Sequence, residues 1–290
     1  PGVHGESIVL RILDRSDTAV ELVELGMPQD LLASYENVVT QPHGMVLITG
    51  PTGSGKTTTL YATLEKISNE KQKIITVEDP VEYQLDGITQ IQANASIGLG
   101  FAEGLRSIVR QDPDILMIGE IRDHETAEIA IESALTGHLV FSTLHTNDAA
   151  GAVTRLQDMG VEGYLISSSL LAIQAQRLVR RVCIECAETH PLSLDEARVL
   201  DIDSAECIEI RRGKGCERCG QTGYRGRVGL YELLLMSDEI RHQIASGADA
   251  NSIRDTAIKG GMRTLRQDAL EKLRAGLTTP EEVVRVTRAV

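Results

Sequence analysis

Short apolar runs alternate with stretches of helical spacing along residues 41–181 of the chain. Four of the runs end in polar residues, as buried strands often do; they span residues 45–49, 74–77, 115–118 and 139–143. Apolar positions recur at helical spacing between them, over residues 58–67, 101–111 and 125–135. Strands that alternate with helices predict an α/β fold, in which helices cover both faces of a parallel-rich sheet. Such sheets bind ligands at the carboxyl ends of their strands.

The pattern changes on either side of this series. Residues 7–13 are mostly apolar and predict a strand, and residues 21–39 predict two short helices that meet at Pro28. Residues 148–181 continue at helical spacing, whereas residues 87–100 predict a hairpin or a loop insertion. Because Pro1 stands where an initiating Met would, we expect further domains upstream.

These changes divide the chain into four segments. Residues after 230 again show helical spacing, and Thr279-Pro280 is typical of a last helix start. The predicted segments are a remnant of an upstream domain with a linker (1–40), the α/β core (41–181), a cysteine-containing segment (182–229) and a C-terminal helical subdomain (230–290).

The composition is that of a globular chain and disfavours two classes of partner. Of 290 residues, 42% are hydrophobic and 24% are charged, which is ordinary for a folded domain. No apolar run approaches the roughly 20 residues that cross a bilayer, and no signal peptide opens the chain. A net charge of −13 and only 3% aromatic residues argue against a nucleic-acid partner, although a local basic patch is compatible with them.

A glycine-rich stretch follows the first strand of the series. It reads Gly50-Pro51-Thr52-Gly53-Ser54-Gly55-Lys56-Thr57, with Thr58 next, and fits G-x-x-x-x-G-K-[ST]. In this motif backbone N–H groups cradle phosphates, the lysine reaches the outer phosphates and the hydroxyl, here that of Thr57, binds Mg²⁺. A helix that starts at Lys56 also points its positive dipole end at the phosphates. The sequence predicts a site for ATP or another nucleoside triphosphate, which kinases, GTPases and motors share.

Carboxylates follow two later strands. Glu78 and Asp79 end the run 74–77, and Glu120 follows the run 115–118. In such sites one acid orients and deprotonates the attacking water, and another holds Mg²⁺ directly or through its waters. The alternatives are a solvated acidic turn at Glu78 and a charged helix start at Glu120. Position along the chain leaves open which carboxylate is the base.

Histidines lie at both ends of the fourth strand. His138 precedes the run 139–143 and His145 follows it. An imidazole at the carboxyl end can donate a hydrogen bond to the γ-phosphate or to its water, which makes His145 a candidate sensor. Beside an apolar strand, however, a histidine is more often a structural residue, so this signal is weak by itself.

Four of the five cysteines form two C-x-x-C pairs. The pairs are Cys183 with Cys186 and Cys216 with Cys219. Four thiolates in a tetrahedral array suit a structural Zn²⁺ ion. The long gap between the pairs predicts an inserted helix, whose start at Ser193 has the form of a capping box. Cys207 has no partner in this scheme.

Basic residues flank the second cysteine pair, at positions 211–214 and 224–227. In so acidic a chain we interpret them as contacts to protein neighbours or to acidic membrane partners. Nucleic acid is the alternative, because tetracysteine modules also serve that role.

Taken together, these segments resemble the type II secretion traffic ATPases, the E proteins of the general secretion pathway, within the type II/IV secretion superfamily. Glu78-Asp-Pro resembles their aspartate box, Gly119-Glu-Ile-Arg-Asp their Walker B box, and Thr136-Gly-His with Thr143-Leu-His-Thr-Asn their histidine box. The order and spacing of the boxes are similar too, and the resemblance covers essentially all 290 residues.

The resemblance implies a RecA-like ATPase core that acts as a hexamer. ATP would bind between this core and the preceding domain, and hydrolysis would drive assembly of a pseudopilus that exports folded proteins. Glu78 matches the position of the water-activating acid, Glu120 that of a metal-coordinating acid, and Arg11 that of an arginine that reaches the phosphates. A second such arginine of the family would lie before Pro1.

The resemblance also implies partners and a location. The partners are inner-membrane platform and recruiting proteins of the secretion system, and the recruiting domain would lie upstream of Pro1. The location is cytoplasmic, at the inner membrane through those partners. Three other functions stay open: a type IV pilus assembly ATPase, a RecA-like nucleic-acid motor, and an assembly subunit that binds ATP without hydrolysing it. Two carboxylates near the phosphates speak against the last of these.

Overall fold

The computed structural model describes residues 3, 5–6, 20–69, 71–203 and 208–287. The strand predicted over residues 7–13, with Arg11, and the unpaired Cys207 lie outside these residues. The strands of the described part are β1 (Gly44–Thr49), β2 (Ile74–Glu78), β3 (Thr89–Gln92), β4 (Ile115–Ile118), β5 (Leu139–Leu144), β6 (Leu170–Val182), β7 (Ala187–Pro191), β8 (Glu209–Gly213) and β9 (Tyr224–Leu235).

Helices separate most of these strands. They are α1 (Gln29–Val39), α2 (Lys56–Ile67), α3 (Phe101–Ile108), α4 (His124–Leu135), α5 (Ala149–Asp158), α6 (Gly163–Ser169), α7 (Leu194–Val199), α8 (Asp238–Ala245), α9 (Ala250–Lys259), α10 (Leu265–Arg274) and α11 (Pro280–Thr287). Short 3₁₀ turns cover Leu22–Leu25, Ala95–Ile97 and Glu217–Cys219. In the described part of the chain, no helix is both long and apolar enough to cross a membrane.

A seven-stranded sheet in the order β3-β2-β4-β5-β1-β6-β9 forms the centre of the fold. Every neighbouring pair is parallel except β6 with β9, so the predicted parallel-rich α/β fold is confirmed. Alternate side chains of β1 point to opposite faces of the sheet and pack into two different hydrophobic clusters. Met45 and Leu47 pack with α3–α6, and Val46 and Ile48 pack with α1 and α2. Helices therefore cover both faces of the sheet, and the carboxyl ends of its parallel strands share one edge.

Three predictions about elements are wrong. Residues 170–182 form the strand β6, not a continuation of the helix before it, and helix α6 ends at Ser169. The positions just after 230 belong to β9, and the C-terminal helices begin only at Asp238. Residues 89–92 are an edge strand parallel to β2, not a hairpin arm. The four-segment division stays a prediction, with β9 lying across its boundary at 230.

The cysteine-containing segment is inserted between β6 and β9. It holds the antiparallel pair β7–β8 and helix α7, which begins with the predicted capping box of Ser193 and Glu196. The C-terminal helices then return to the sheet. Asp268 of α10 accepts a hydrogen bond from the backbone N–H of Tyr231 on β9 at 2.8 Å, and pairs with Lys272 at 2.7 Å.

Glu282 fastens the last helix, α11, to strand β6. Its side chain is 1% exposed and accepts bonds from the backbone N–H of Arg180 at 2.7 Å and from the side chain of Arg285. Burial alone would raise the pKa of Glu282, but these donors lower it to about 2. A carboxyl whose pKa is lowered by folding stabilises the fold above its unfolded pKa, and this contribution is lost as the pH falls towards 2.

Glu282→Gln is therefore expected to lower the free energy of unfolding by about 2 kcal/mol at pH 7. The difference from the unmodified chain should shrink between about pH 5 and pH 3, where the carboxylate of the unfolded chain becomes protonated. Urea unfolding at several pH values measures both effects. Glu281→Gln is the matched control, because Glu281 lies on the same helix and its half-exposed side chain pairs with Arg212 of β8. Equal losses in the two variants would contradict the prediction.

Candidate functional site

The glycine-rich loop connects the carboxyl end of β1 to the first residue of α2, Lys56, and packs directly on β6. Gly50 has φ +151°, and a Cβ atom there would lie 2.3 Å from the carbonyl oxygen of Gln176. A side chain at this position is therefore excluded both by conformation and by space. Gln176 also accepts a hydrogen bond from Thr59 of α2 at 2.8 Å. Strand β6 therefore packs directly against the phosphate loop, a contact that the sequence did not indicate.

Lys56 is folded back over this loop. Its Nζ donates to the carbonyl oxygens of Gly50 and Pro51, at 2.9 and 3.2 Å. Burial lowers the pKa of Lys56, and the charge of Glu120 opposes that shift. The Ser54 hydroxyl in the same loop is buried without a hydrogen-bond partner. A buried ammonium and an unsatisfied hydroxyl beside a helix N-terminus are suited to phosphate oxygens.

Glu120 interacts with two parts of the site. Its charge acts on Lys56 of the phosphate loop, and its carboxylate contacts His145, which follows β5. Its two carboxylate oxygens contact Arg122 and His145 separately, the second at 3.3 Å from Nε2, and its side chain is 14% exposed. Burial opposes ionisation, but Arg122 and His145 outweigh it and lower the pKa of Glu120. The carboxylate is therefore ionised at neutral pH. An ionised carboxylate close to a phosphate loop is a suitable ligand for Mg²⁺ or its waters.

Glu78 lies at the end of the neighbouring strand, in a different environment. Its side chain is 3% exposed and accepts hydrogen bonds from Tyr61 of α2, from Thr76 at 2.6 Å and from Gln90 at 3.1 Å. These three donors occupy both carboxylate oxygens. Within the described residues, no hydrogen bond or ion pair joins Glu78 to Glu120 or to the loop. Glu78 is held beside the site by groups of the first α2 turns and of strands β2 and β3.

The loop after β5 is bound to the end of β1, directly before the phosphate loop, and to β6. The hydroxyls of Thr49 and Thr146 lie 2.7 Å apart, and the backbone N–H of Thr146 donates to Thr49 at 2.9 Å. Arg177 of β6 donates to the side chain of Asn147 at 3.0 Å. The sequence analysis did not select Thr49, Arg177 or Tyr61. The sequence offers one signal here: Thr76 and Glu78 are two positions apart in β2, so their side chains lie on the same face of the strand.

The structure pairs Glu120 with His145 and brings its carboxylate close enough for its charge to act on Lys56 of the predicted loop. Thr57 and Thr58, in the first turn of α2, are exposed. The roles predicted for Glu78, Glu120, His145 and Thr57 stay proposals, as does that of Arg11.

The four paired cysteines form one cluster. The sulfur atoms of Cys183, Cys186, Cys216 and Cys219 all lie within 4.8 Å of one another. Two of the distances across the pairs are 3.9 Å, and Cys216 and Cys219 are 3.7 Å apart. Around an ion with metal–sulfur bonds of about 2.3 Å, tetrahedral sulfurs would be about 3.8 Å apart. The arrangement is therefore compatible with a zinc site.

The backbone around the second pair favours a thiolate. Burial opposes ionisation of Cys219, but the N–H groups of Cys216 and Gly223 donate to its sulfur at 3.2 and 3.3 Å and lower its pKa to about 6. Gly213 approaches so closely that a Cβ there would lie 2.1 Å from the carbonyl oxygen of Gly223. Burial, in contrast, raises the pKa of Cys186 to about 12, so without a metal ion the backbone favours a thiolate at Cys219 and not at Cys186.

Two of the basic side chains near the cluster are paired with carboxylates of the chain. Arg212 contacts Glu196 and Glu281, and Lys214 pairs with Glu188 at 2.8 Å. These ion pairs reduce the positive charge that a nucleic-acid backbone would require.

A parallel-rich sheet with a phosphate loop between its central strand and the next helix defines a RecA-like P-loop protein. The chain matches, over residues 1–285, the family described as type II/IV secretion system protein. It belongs to that family, which confirms the resemblance found in the sequence.

Relatives within the family are similar over 99% of this chain. It is 48% identical to Type II secretion system ATPase E of Vibrio cholerae, of which it covers 57%. It is 53% identical to Type II secretion system protein E of Xanthomonas campestris pv. campestris, of which it covers 51%. The chain therefore spans somewhat more than half the length of these relatives.

Solved structures are similar in fold. The pilus retraction motor PilT with bound ADP is 29% identical, with a TM-score of 0.68 over 93% of this chain and 68% of that one. The ATPase DotB of Legionella pneumophila has the same TM-score at 24% identity, over 94% of this chain and 66% of DotB. The second likeness concerns the fold alone.

Proposed function

We propose that this chain is the ATP-hydrolysing motor part of a type II secretion system, which drives pseudopilus assembly and protein export. The observation that carries the proposal is the contact of Glu120 with His145 beside a phosphate loop whose buried Lys56 lies within reach of the charge of Glu120, in a chain from this family. The relative in Vibrio cholerae is itself named an ATPase.

The site residues then have the following roles. Backbone N–H groups of residues 52–57 hold the phosphates, and Lys56 exchanges its two carbonyl partners for phosphate oxygens. Thr57 and Glu120 would hold Mg²⁺, which supplies neutralisation of phosphate charge when bound. In its protonated form His145 keeps Nε2–H on Glu120 and donates from Nδ1–H to the γ-phosphate or to its water. Glu78 is proposed as the base, and Arg11 as a further contact to the phosphates.

The cysteine cluster is proposed to bind Zn²⁺ in a structural role. Four thiolates leave no open coordination position, so the ion would stabilise the inserted segment rather than take part in hydrolysis. The fit of the sulfur distances to tetrahedral geometry supports this assignment.

The assembly and its partners are proposed from the family. The chain would act as a homohexamer at the cytoplasmic side of the inner membrane, where platform and recruiting proteins of the secretion system bind it. A type IV pilus assembly ATPase is the second candidate, because the same nucleotide chemistry serves both. The solution mass and complementation of secretion or of piliation in deletion strains separate these alternatives.

Lys56→Ala is expected to weaken nucleotide binding by at least about tenfold, because it removes a charge-assisted hydrogen bond to phosphate. Binding of a fluorescent ATP analogue and release of phosphate with Mg²⁺ measure this variant. Lys66→Ala is the control, since Lys66 lies at the exposed end of the same helix and pairs only with Glu36. Unchanged nucleotide binding in Lys56→Ala would contradict the proposed site. Strong stimulation of hydrolysis by single-stranded DNA would favour a nucleic-acid motor instead.

A further inference from the structure

One buried carboxylate joins the starts of two helices that lie far apart in the sequence. Glu232 of β9 is 1% exposed. One of its oxygens accepts from the backbone N–H of Ala149 at 2.9 Å, and the other accepts from that of Leu265 at 3.1 Å. Ala149 is the first residue of α5, and Leu265 is the first residue of α10.

Burial raises the pKa of Glu232, and the two backbone donors and the charge of Arg254 oppose that shift. Among the described residues no cationic side chain makes an ion pair with Glu232, although two helix N-termini with unpaired N–H groups point at it. Removal of the carboxylate would leave two buried amides without acceptors, which is costly for a backbone group. The bond therefore ties α5 to α10 through the edge strand of the sheet.

Helix α9 makes a second connection to the same place. Arg254 contacts Asp148 at 3.3 Å, and the other carboxylate oxygen of Asp148 caps α5 by accepting from the N–H of Gly151 at 2.7 Å. Asp148 follows directly on residues 145–147, which include His145 and which contact Thr49, the last residue of β1 before the phosphate loop, through Thr146. Two C-terminal helices thus hold the loop that carries the histidine of the site.

We propose that Glu232 and Arg254 are positioning residues for the nucleotide site, which couple the loop at residues 145–148 to helices α9 and α10. They touch no reacting atom and act through the start of α5. A change in this loop on nucleotide binding is then transmitted to the C-terminal helices, and those helices in turn set the position of His145. The inference rests on the proposed function only in placing the nucleotide beside His145.

Hydrogen exchange tests the coupling without requiring hydrolysis. Addition of Mg²⁺ and a non-hydrolysable ATP analogue is expected to slow exchange of the amides of residues 265–268 by about threefold or more in the unmodified chain. Glu232→Gln should abolish this response, because its amide group has a single acceptor oxygen for two backbone donors. No response at residues 265–268 in the unmodified chain, although it binds the analogue, would overturn the proposal.

Asp268→Asn is the matched control for a purely structural role. Asp268 is as buried as Glu232, and it also links α10 to β9, yet among the described residues its hydrogen bonds reach only Tyr231 and Lys272. This variant is expected to be less stable but to keep the exchange response of the unmodified chain. Loss of the response in both variants, or in neither, would overturn the proposal.

The kinetics of ATP hydrolysis give a second test of the coupling. Glu232→Gln and Arg254→Gln should each lower kcat by about tenfold, with KM for ATP within about threefold, because a misplaced catalytic loop affects the reaction more than binding. Arg254→Lys should recover most of kcat. If Glu232→Gln fails to fold, Arg254→Gln tests the same coupling at a partly exposed side chain. An unmodified chain that hydrolyses no ATP would refute the proposed function, while the exchange response would still decide this inference.

Discussion

Glu78→Gln is expected to lower kcat for ATP hydrolysis by at least about 100-fold, while ATP affinity stays within a few-fold. The reason is that a carboxylate that activates water acts in the transition state and contributes little to holding the nucleotide. Phosphate release at saturating ATP and binding of a fluorescent ATP analogue measure the two quantities separately.

The hydrogen bonds of Glu78 provide the control for this experiment. Tyr61→Phe removes one donor and leaves the carboxylate in place, held by Thr76 and Gln90. If Glu78 is the base, Tyr61→Phe should retain kcat within about tenfold of the unmodified chain. If Glu78 only anchors α2 through Tyr61, the two variants should lose kcat equally. Near-normal hydrolysis by Glu78→Gln would show that the assignment is wrong and would make Glu120 the candidate base.

Cys219→Ser is expected to abolish zinc binding, from about one ion per chain to almost none, and to unfold the inserted segment. The expected effect is large because structural zinc sites of this kind contribute about 10 kcal/mol or more to the folded state. Elemental analysis gives the metal content, and hydrogen exchange over residues 183–223 reports the unfolding.

Cys207→Ser is the matched control for the cysteine cluster. Cys207 was predicted to have no metal-binding role, so this variant should retain its zinc and its exchange protection. Retention of a full zinc content by Cys219→Ser, or its loss from Cys207→Ser, would contradict the assignment of the four ligands.

The parts of the fold that follow from local pattern were predicted well. Strands β1, β2, β4 and β5, the helices between them and the helix starts at Ser193 and Pro280 all lie where the sequence indicates. Short apolar runs that end at glycine or acidic residues have few alternative structures. The phosphate loop was predictable for the same reason, because its motif requires a strand before it and a helix after it.

Strand β6 shows why other parts were not predictable. It is rich in Leu, Ala, Gln and Arg, which favour helices, and it lacks the alternation of a half-exposed strand. Gln174 and Gln176 are fully or almost fully buried there, because the phosphate loop and α2 cover them. Such burial depends on neighbours more than 100 positions away, so tertiary contacts decide the structure of this segment.

The candidate site, too, could be predicted only in part from the sequence. The sequence placed Glu78 and Glu120 at the ends of strands that prove to be adjacent, but it could not distinguish their surroundings. One carboxylate meets a histidine and an arginine, and the other meets a tyrosine, a threonine and a glutamine. Those partners come from different elements, and their meeting is a property of the packed molecule.

The inserted cysteine segment leaves and rejoins the sheet at neighbouring positions. Val182 pairs with Tyr224 across β6 and β9, and the N–H of Cys183 donates to the carbonyl oxygen of Gly223 at 2.9 Å. A single tight turn could bridge such a gap, but Leu200 and Ile210 of the insertion are buried in the same apolar cluster as the sheet and the C-terminal helices. Removal of the insertion would therefore expose part of the core that these helices share.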